Sequence, residues 1–211
     1  MADGNTMLRV KNIIESDPAR RYVVVSAPGK RFGGDIKITD LLYETYESVK
    51  LSHATGAPFE KVAERFRGIV RELALDMDID GILAETQAEI LKEGTADFCA
   101  SRGEYLSGRV MAALLGVPFI DARDVVKFNA EGRLDSERTY SLLAEALKGK
   151  PRAVVAGFYG EDHEGRVKTF SRGGSDISGA IVARAVGAEL YENWTDVSGF
   201  LACDPRIIEN P

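Results

Sequence analysis

Three stretches of the chain carry unbroken apolar runs that end in turn residues. The first is 21–26, closing at Ala27-Pro28-Gly29. The second, shorter, is 117–122. The third is 152–158, opened by Pro151 and closed by Gly157 and Gly160. Runs of this kind predict strands of a parallel sheet covered on both faces. Between them apolar residues recur at helical spacing. Ile38, Leu41, Leu42 and Tyr46 predict a helix over 37–51, and Phe59, Val62, Ala63, Phe66, Ile69, Val70 and Leu73 predict one over 59–75. Further helices are predicted over 6–14, 82–96, 103–115, 135–147 (with Asp135 or Ser136 as N-cap) and 175–186, after Gly173-Gly174. Strands alternating with helices predict a three-layer α/β/α sandwich with a mostly parallel sheet. The helical pattern between Lys37 and Ala96 is not interrupted by a strand, which predicts a helical excursion off the sheet.

Composition adds exclusions. With 211 residues the chain is long enough for one large domain. A net charge of −6 with no long Lys/Arg run argues against a nucleic-acid partner, though a nucleotide needs only a few placed cations. No apolar run approaches the ~20 residues of a membrane helix, and no signal peptide is visible at Met1-Ala2-Asp3. Cys99 and Cys203 form no CxxC pair and have no nearby His, so a thiolate metal site is not expected. Free thiols in a reducing cytoplasm are the plain reading.

Four segments carry candidate chemistry. In Thr169-Phe170-Ser171-Arg172-Gly173-Gly174-Ser175-Asp176, two glycines precede a helix start, where N–H groups favour an anion, and Arg172 adds a planar fork for a carboxylate or phosphate. The bland alternative is an ordinary turn with Asp176 as a helix-start acid. Trp194-Thr195-Asp196-Val197-Ser198-Gly199-Phe200-Leu201 with Asp204-Pro205-Arg206 predicts a strand ending near Thr195, with polar groups where α/β sheets take ligands. In Gly103-Glu104-Tyr105-Leu106-Ser107-Gly108, Glu104 opens the predicted helix. It is read either as an acid favoured by the dipole or as a receptor for a substrate ammonium. Ser26-Ala27-Pro28-Gly29-Lys30 lacks the spacing of a phosphate loop. His53 and His163 are isolated.

Together these segments resemble the aspartate kinases of the amino-acid kinase family. The resemblance is carried by Val24-Val25-Ser26-Ala27 with Thr39-Asp40-Leu41-Leu42, by Gly103-Glu104 with Ser107, and by Gly157-Phe158. It is carried most by Arg172-Gly173-Gly174-Ser175-Asp176 followed by Thr195-Asp196-Val197 and Asp204-Pro205-Arg206. It implies phosphoryl transfer from ATP, with Mg2+, to the side-chain carboxylate of L-aspartate. The product would lie on the route to lysine, threonine and methionine. Arg172 is implied to hold the substrate α-carboxylate and Glu104 its α-ammonium. Ser175, Asp176, Phe158, Ser26 and Thr39 are implied as further substrate contacts, and Thr195, Asp196, Leu201 and Arg206 as nucleotide contacts. The family often has Tyr where Leu201 stands. A cytoplasmic location and a homo-oligomeric full-length protein are also implied.

The family opens with a strand and a K-x-G-G-[ST]-S motif, and this chain begins where that motif would have just ended. The resemblance therefore implies a partial catalytic domain over 1–211, cut at both ends and without regulatory ACT-type domains. Little kinase activity is expected of it alone. The alternatives are a non-catalytic fragment serving as a binding or assembly partner, and a related kinase of another small acid.

Overall fold

The structure, a computed structural model, describes residues 1–171 and 174–195. The predicted runs at 21–26 and 152–158 form strands β1 (Tyr22–Val25) and β3 (Ala153–Ala156), which pair in parallel with Val23 opposite Val154. The 117–122 run shortens to β2 (Phe119–Ile120), parallel to the other side of β3. Pro118 has no N–H for the ladder, and Asp121 turns away to cap the short helix α6 (Ala122–Val125), accepting from Arg123 N–H at 2.9 Å. The strand order is β1-β3-β2. The central strand is the one buried at every position, as its unbroken apolar sequence requires. A hairpin that the sequence reading missed follows β3: β4 (Tyr159–Glu161) pairs antiparallel with β5 (Val167–Thr169).

Helices α1 (Gly4–Glu15), α2 (Ile38–Ser52), α3 (Gly56–Glu72) and α7 (Ser136–Leu147) occupy the predicted stretches. Asp3 caps α1 in a capping box with Thr6, and Asp135 caps α7 by accepting from Arg138 N–H. The pattern over 82–115 divides differently from expectation. Helix α4 spans Ile79–Glu93 and stops at Gly94, whose left-handed φ of 59° ends it. Thr95 then caps α5 (Ala96–Leu115), which begins seven residues before the expected start at Gly103. Small residues (Ala96, Ala100, Ser101, Gly103) dilute its apolar period. Helix α8 covers Gly174–Ala185. Helices cover both sides of the parallel sheet. Helix α5 packs on all three parallel strands, and α8 on β1. Helices α2, α3 and α4 pack chiefly on other helices, which is the excursion the uninterrupted pattern predicted.

The expected strand near Thr195 does not form: residues 190–195 are irregular. Side chains tie this segment to α8 and to the loop after α1. Tyr191 O–H donates to the Asp176 carbonyl at 3.1 Å, Glu192 pairs with Arg20 at 2.7 Å, and Trp194 Nε1–H donates to Glu192 at 2.8 Å.

Candidate functional site

Parallel strands end at one edge, and three loop starts meet there: Ser26 after β1, Asp121 after β2, and Gly157-Phe158 after β3. Helix α5 passes beneath this edge unusually closely. A side chain at Gly103 would put its Cβ 2.8 Å from Ala27 Cβ and 3.3 Å from Leu42, and one at Gly108 would strike the Phe119 ring. The two glycines let the helix in, and the approach buries Glu104 to 5% exposure. Glu104 is therefore a mid-helix residue, the ninth of α5, and not the helix opener that the sequence suggested. The helix-dipole explanation for an acid at this position fails with that correction.

The Ala27 N–H donates to Glu104 Oε1 at 3.1 Å. The other oxygen, Oε2, is buried and has no hydrogen-bond partner among the described residues; the hydroxyl of Ser107, one turn on, shares that condition. Burial pushes the Glu104 carboxyl up to about 8, against the opposing pull of the Ala27 N–H and the Arg102 charge. A buried acid left half-partnered is held neutral until a cation arrives. An ammonium group is the chemical complement of this arrangement.

At the same strand edge the end of β3 meets the start of α8. Phe158 sits at φ +76°, a conformation costly for a residue with a Cβ. Three contacts hold it there. Its N–H donates to Ser178 Oγ at 2.9 Å, Ser178 in turn donates to the Gly174 carbonyl at 2.7 Å, and the Phe158 carbonyl accepts from Phe170 N–H at 2.8 Å. Gly157 allows the close crossing, since a Cβ there would lie 2.7 Å from the Val25 carbonyl and 3.2 Å from Ser175. Ser175 is thereby packed on the end of β3. Thr39 lies in the first turn of α2, whose Ile38 and Leu42 flank Gly103. Ser26 is exposed next to Ala27.

The fold thus brings five expected positions to one strand edge: Ser26, Thr39, Glu104, Phe158 and Ser175. Asp176 is exposed, and its carboxylate accepts from Asn193 Nδ2 at 3.3 Å, on the outer side of α8's start. Thr195 is exposed in the irregular segment. Arg172, Asp196, Leu201 and Arg206 lie outside the described residues, as does Cys203.

Several contributors were not foreseen. Asp97, in the first turn of α5, accepts from both Thr169 Oγ1 and Thr169 N–H, at 3.0 and 3.2 Å, and so ties β5 to α5. Tyr43 on α2 has its phenol raised by partial burial and by the charges of Asp97 and Glu104. Arg102 is 3% exposed and stacked among Phe98, Tyr105 and Tyr159, at 4.3, 4.6 and 5.3 Å from the ring centres. Tyr159, next to Phe158, is pinned at its other end by donating to Asp121 at 2.6 Å. Their sequence signal was faint: Thr95 and Ala96 fall at the end of the helix predicted over 82–96, and Asp97 falls between that helix and the next one predicted, over 103–115.

The sequence profile described as Amino acid kinase family matches residues 1–211. Aspartokinase 3 of Bacillus subtilis is 34% identical over all of this chain and half of its own length. The crystal structure of Clostridium acetobutylicum aspartate kinase superposes with a TM-score of 0.91 at 47% identity, covering 100% of this chain and 49% of that one. Escherichia coli aspartokinase III, in complex with aspartate and ADP, superposes with a TM-score of 0.77 at 26% identity, over 98% and 49% of the two chains. The chain spans about half the length of these relatives. A family profile that matches the whole chain, and a fold shared over its whole length with these kinases, place the chain in the amino acid kinase family.

Proposed function

We propose that this chain forms the amino-acid-holding part of an aspartate kinase, which moves the γ-phosphoryl group of ATP to the side-chain carboxylate of L-aspartate. The observation that carries the reading is Glu104: a buried carboxyl at the strand edge with one oxygen on Ala27 N–H and the other unpartnered among the described residues. It fits the α-ammonium of an amino acid. Arg172 is the matching receptor for the α-carboxylate, suited by its bidentate fork. Ser26, Thr39, Phe158 and Ser175 line the same edge, Asp176 flanks it, and Thr195, Asp196, Leu201 and Arg206 serve the nucleotide.

The attacking carboxylate of aspartate is ionised at neutral pH, so the protein needs no general base. Its work is to hold the two reactants in line and to balance charge. The held Phe158 backbone and the α8 start supply rigidity for that. Among the described residues no group of three His, Cys, Asp or Glu side chains is arranged to hold a metal. In this reading Mg2+ comes with the nucleotide phosphates. No described helix is long and apolar enough to cross a membrane. A cytoplasmic location, a homo-oligomeric whole protein and supply of lysine, threonine and methionine synthesis complete the proposal.

The test is ADP release by the full-length protein. It should depend on L-aspartate, and Glu104→Gln should raise KM for aspartate roughly a hundredfold, the loss of one charged hydrogen-bonded contact. ADP release indifferent to aspartate, or an unchanged KM in E104Q, contradicts the proposal.

A further inference from the structure

Glu104 and Ser107 are one turn apart on α5, a spacing that makes their side chains neighbours. Both are buried, Ser107 completely, and the two atoms Glu104 Oε2 and Ser107 Oγ lack a hydrogen-bond partner among the described residues. A helical serine commonly satisfies itself by donating to the carbonyl four residues back. On these helices Thr45, Thr86 and Ser178 do so at 2.7–2.8 Å, and Ser107 does not. Its hydroxyl is a donor held in reserve beside a carboxyl that must become an anion. Because α5 leads into β2 and runs counter to the strands, Ser107 lies deeper than Glu104, away from the ligand edge.

We propose that Ser107 is a positioning residue: its O–H turns onto the free oxygen of Glu104 when that carboxyl releases its proton to solvent and receives the substrate ammonium. The inference rests on the reading of Glu104 given above. The charged form then has two protein donors, Ala27 N–H and Ser107 O–H, in place of one. Amino-acid binding is coupled to loss of one proton, and Ser107 sets the pH at which the site becomes competent.

Other groups around Glu104 keep the titration simple. From its own helix come the Arg102 cation and the Asp97 carboxylate, the latter bonded to Thr169. From α2 comes Tyr43 and from β4 comes Tyr159, both phenols raised above their usual value by burial and so neutral through the relevant range. The loop after β1 contributes the Ala27 N–H. Glu104 alone among them is placed to titrate near pH 8.

The experiment is the pH profile of KM for L-aspartate, with kcat, in the full-length enzyme, for wild type, Ser107→Ala, Ser107→Cys and Glu104→Gln. Wild-type KM should fall as pH rises and level off near the Glu104 titration. S107A should move that break upward by about one pH unit, raising KM about tenfold below it, with kcat changed less than twofold. S107C, a weak donor of similar size, should fall between. In the free protein, the carboxylic-acid infrared band that E104Q removes should persist to higher pH in S107A. A profile and band in S107A that match wild type overturn the proposal, even where the variant is less thermostable. An E104Q enzyme with wild-type KM instead overturns the assignment of Glu104 itself, which separates the two failures.

Discussion

At the residue scale, Glu104 decides the most. A carboxyl with a raised folded-state pKa contributes most where both states hold its proton, and that contribution falls with rising pH while the folded state alone keeps the proton. Its stabilising contribution is complete below the ordinary glutamate value of 4.5 and is lost as pH rises through about 8. Each tenfold in proton affinity corresponds to about 1.4 kcal/mol. Urea denaturation should therefore show wild-type stability falling by a few kcal/mol between pH 5 and pH 8 through this group, while Glu104→Gln stays nearly flat. Equal slopes in both proteins would mean that Glu104 is not buried as described. The sequence named this residue but misjudged its setting. Its burial comes from Gly103 and Gly108 meeting Ala27 and Phe119, contacts that span up to 76 positions of the chain and leave no local pattern.

At the element scale, the site depends on how closely α5 and α8 approach the strand ends. A Cβ at Gly103 would press on Ala27 and draw its N–H off Glu104. Gly103→Ala should thus cost about 1–3 kcal/mol by overpacking and weaken aspartate binding, measured by thermal melts and calorimetry. Gly157→Ala should do the same through Val25 and Ser175. A control such as Gly68→Ala, with open space around it in mid-α3, should be neutral or mildly stabilising. The continuous apolar strands, the long helices and the Asp135 cap were legible because each is written in consecutive residues. The start of α5 was hidden by small residues, β2 was cut short by Pro118, and the β4–β5 hairpin was too short to show a period.

At the scale of the molecule, a buried ion pair fastens the loop after β1 to the helical excursion. Asp35 accepts from Arg65 at 2.7 Å, with both side chains under a tenth exposed, and Arg31 adds bonds at 2.9 and 3.0 Å. Arg65 also donates to the Gly29 carbonyl at 3.2 Å. The Arg31 hydrogen bonds above all hold the Asp35 carboxyl far below the usual range. Its contribution is therefore present above the unfolded aspartate value of 3.8 and lost in acid. Asp35→Ala strands a buried cation and should cost about 3–5 kcal/mol at pH 7, seen as a lower urea midpoint. A loss under 1 kcal/mol would show that the pair is solvated. Nothing in the sequence announced the Asp35–Arg65 contact, because Arg65 comes from α3, 30 positions along the chain, and is brought to the loop only by the fold.

In the proposed site, Glu104 receives the α-ammonium of L-aspartate. Calorimetric titration of the full-length protein with L-aspartate and with succinate, which lacks only the ammonium, tests it directly. Wild type should bind L-aspartate and discriminate strongly against succinate, and Glu104→Gln should lose that discrimination. Equal affinity of the wild-type protein for the two acids, or discrimination that survives in E104Q, would contradict the account.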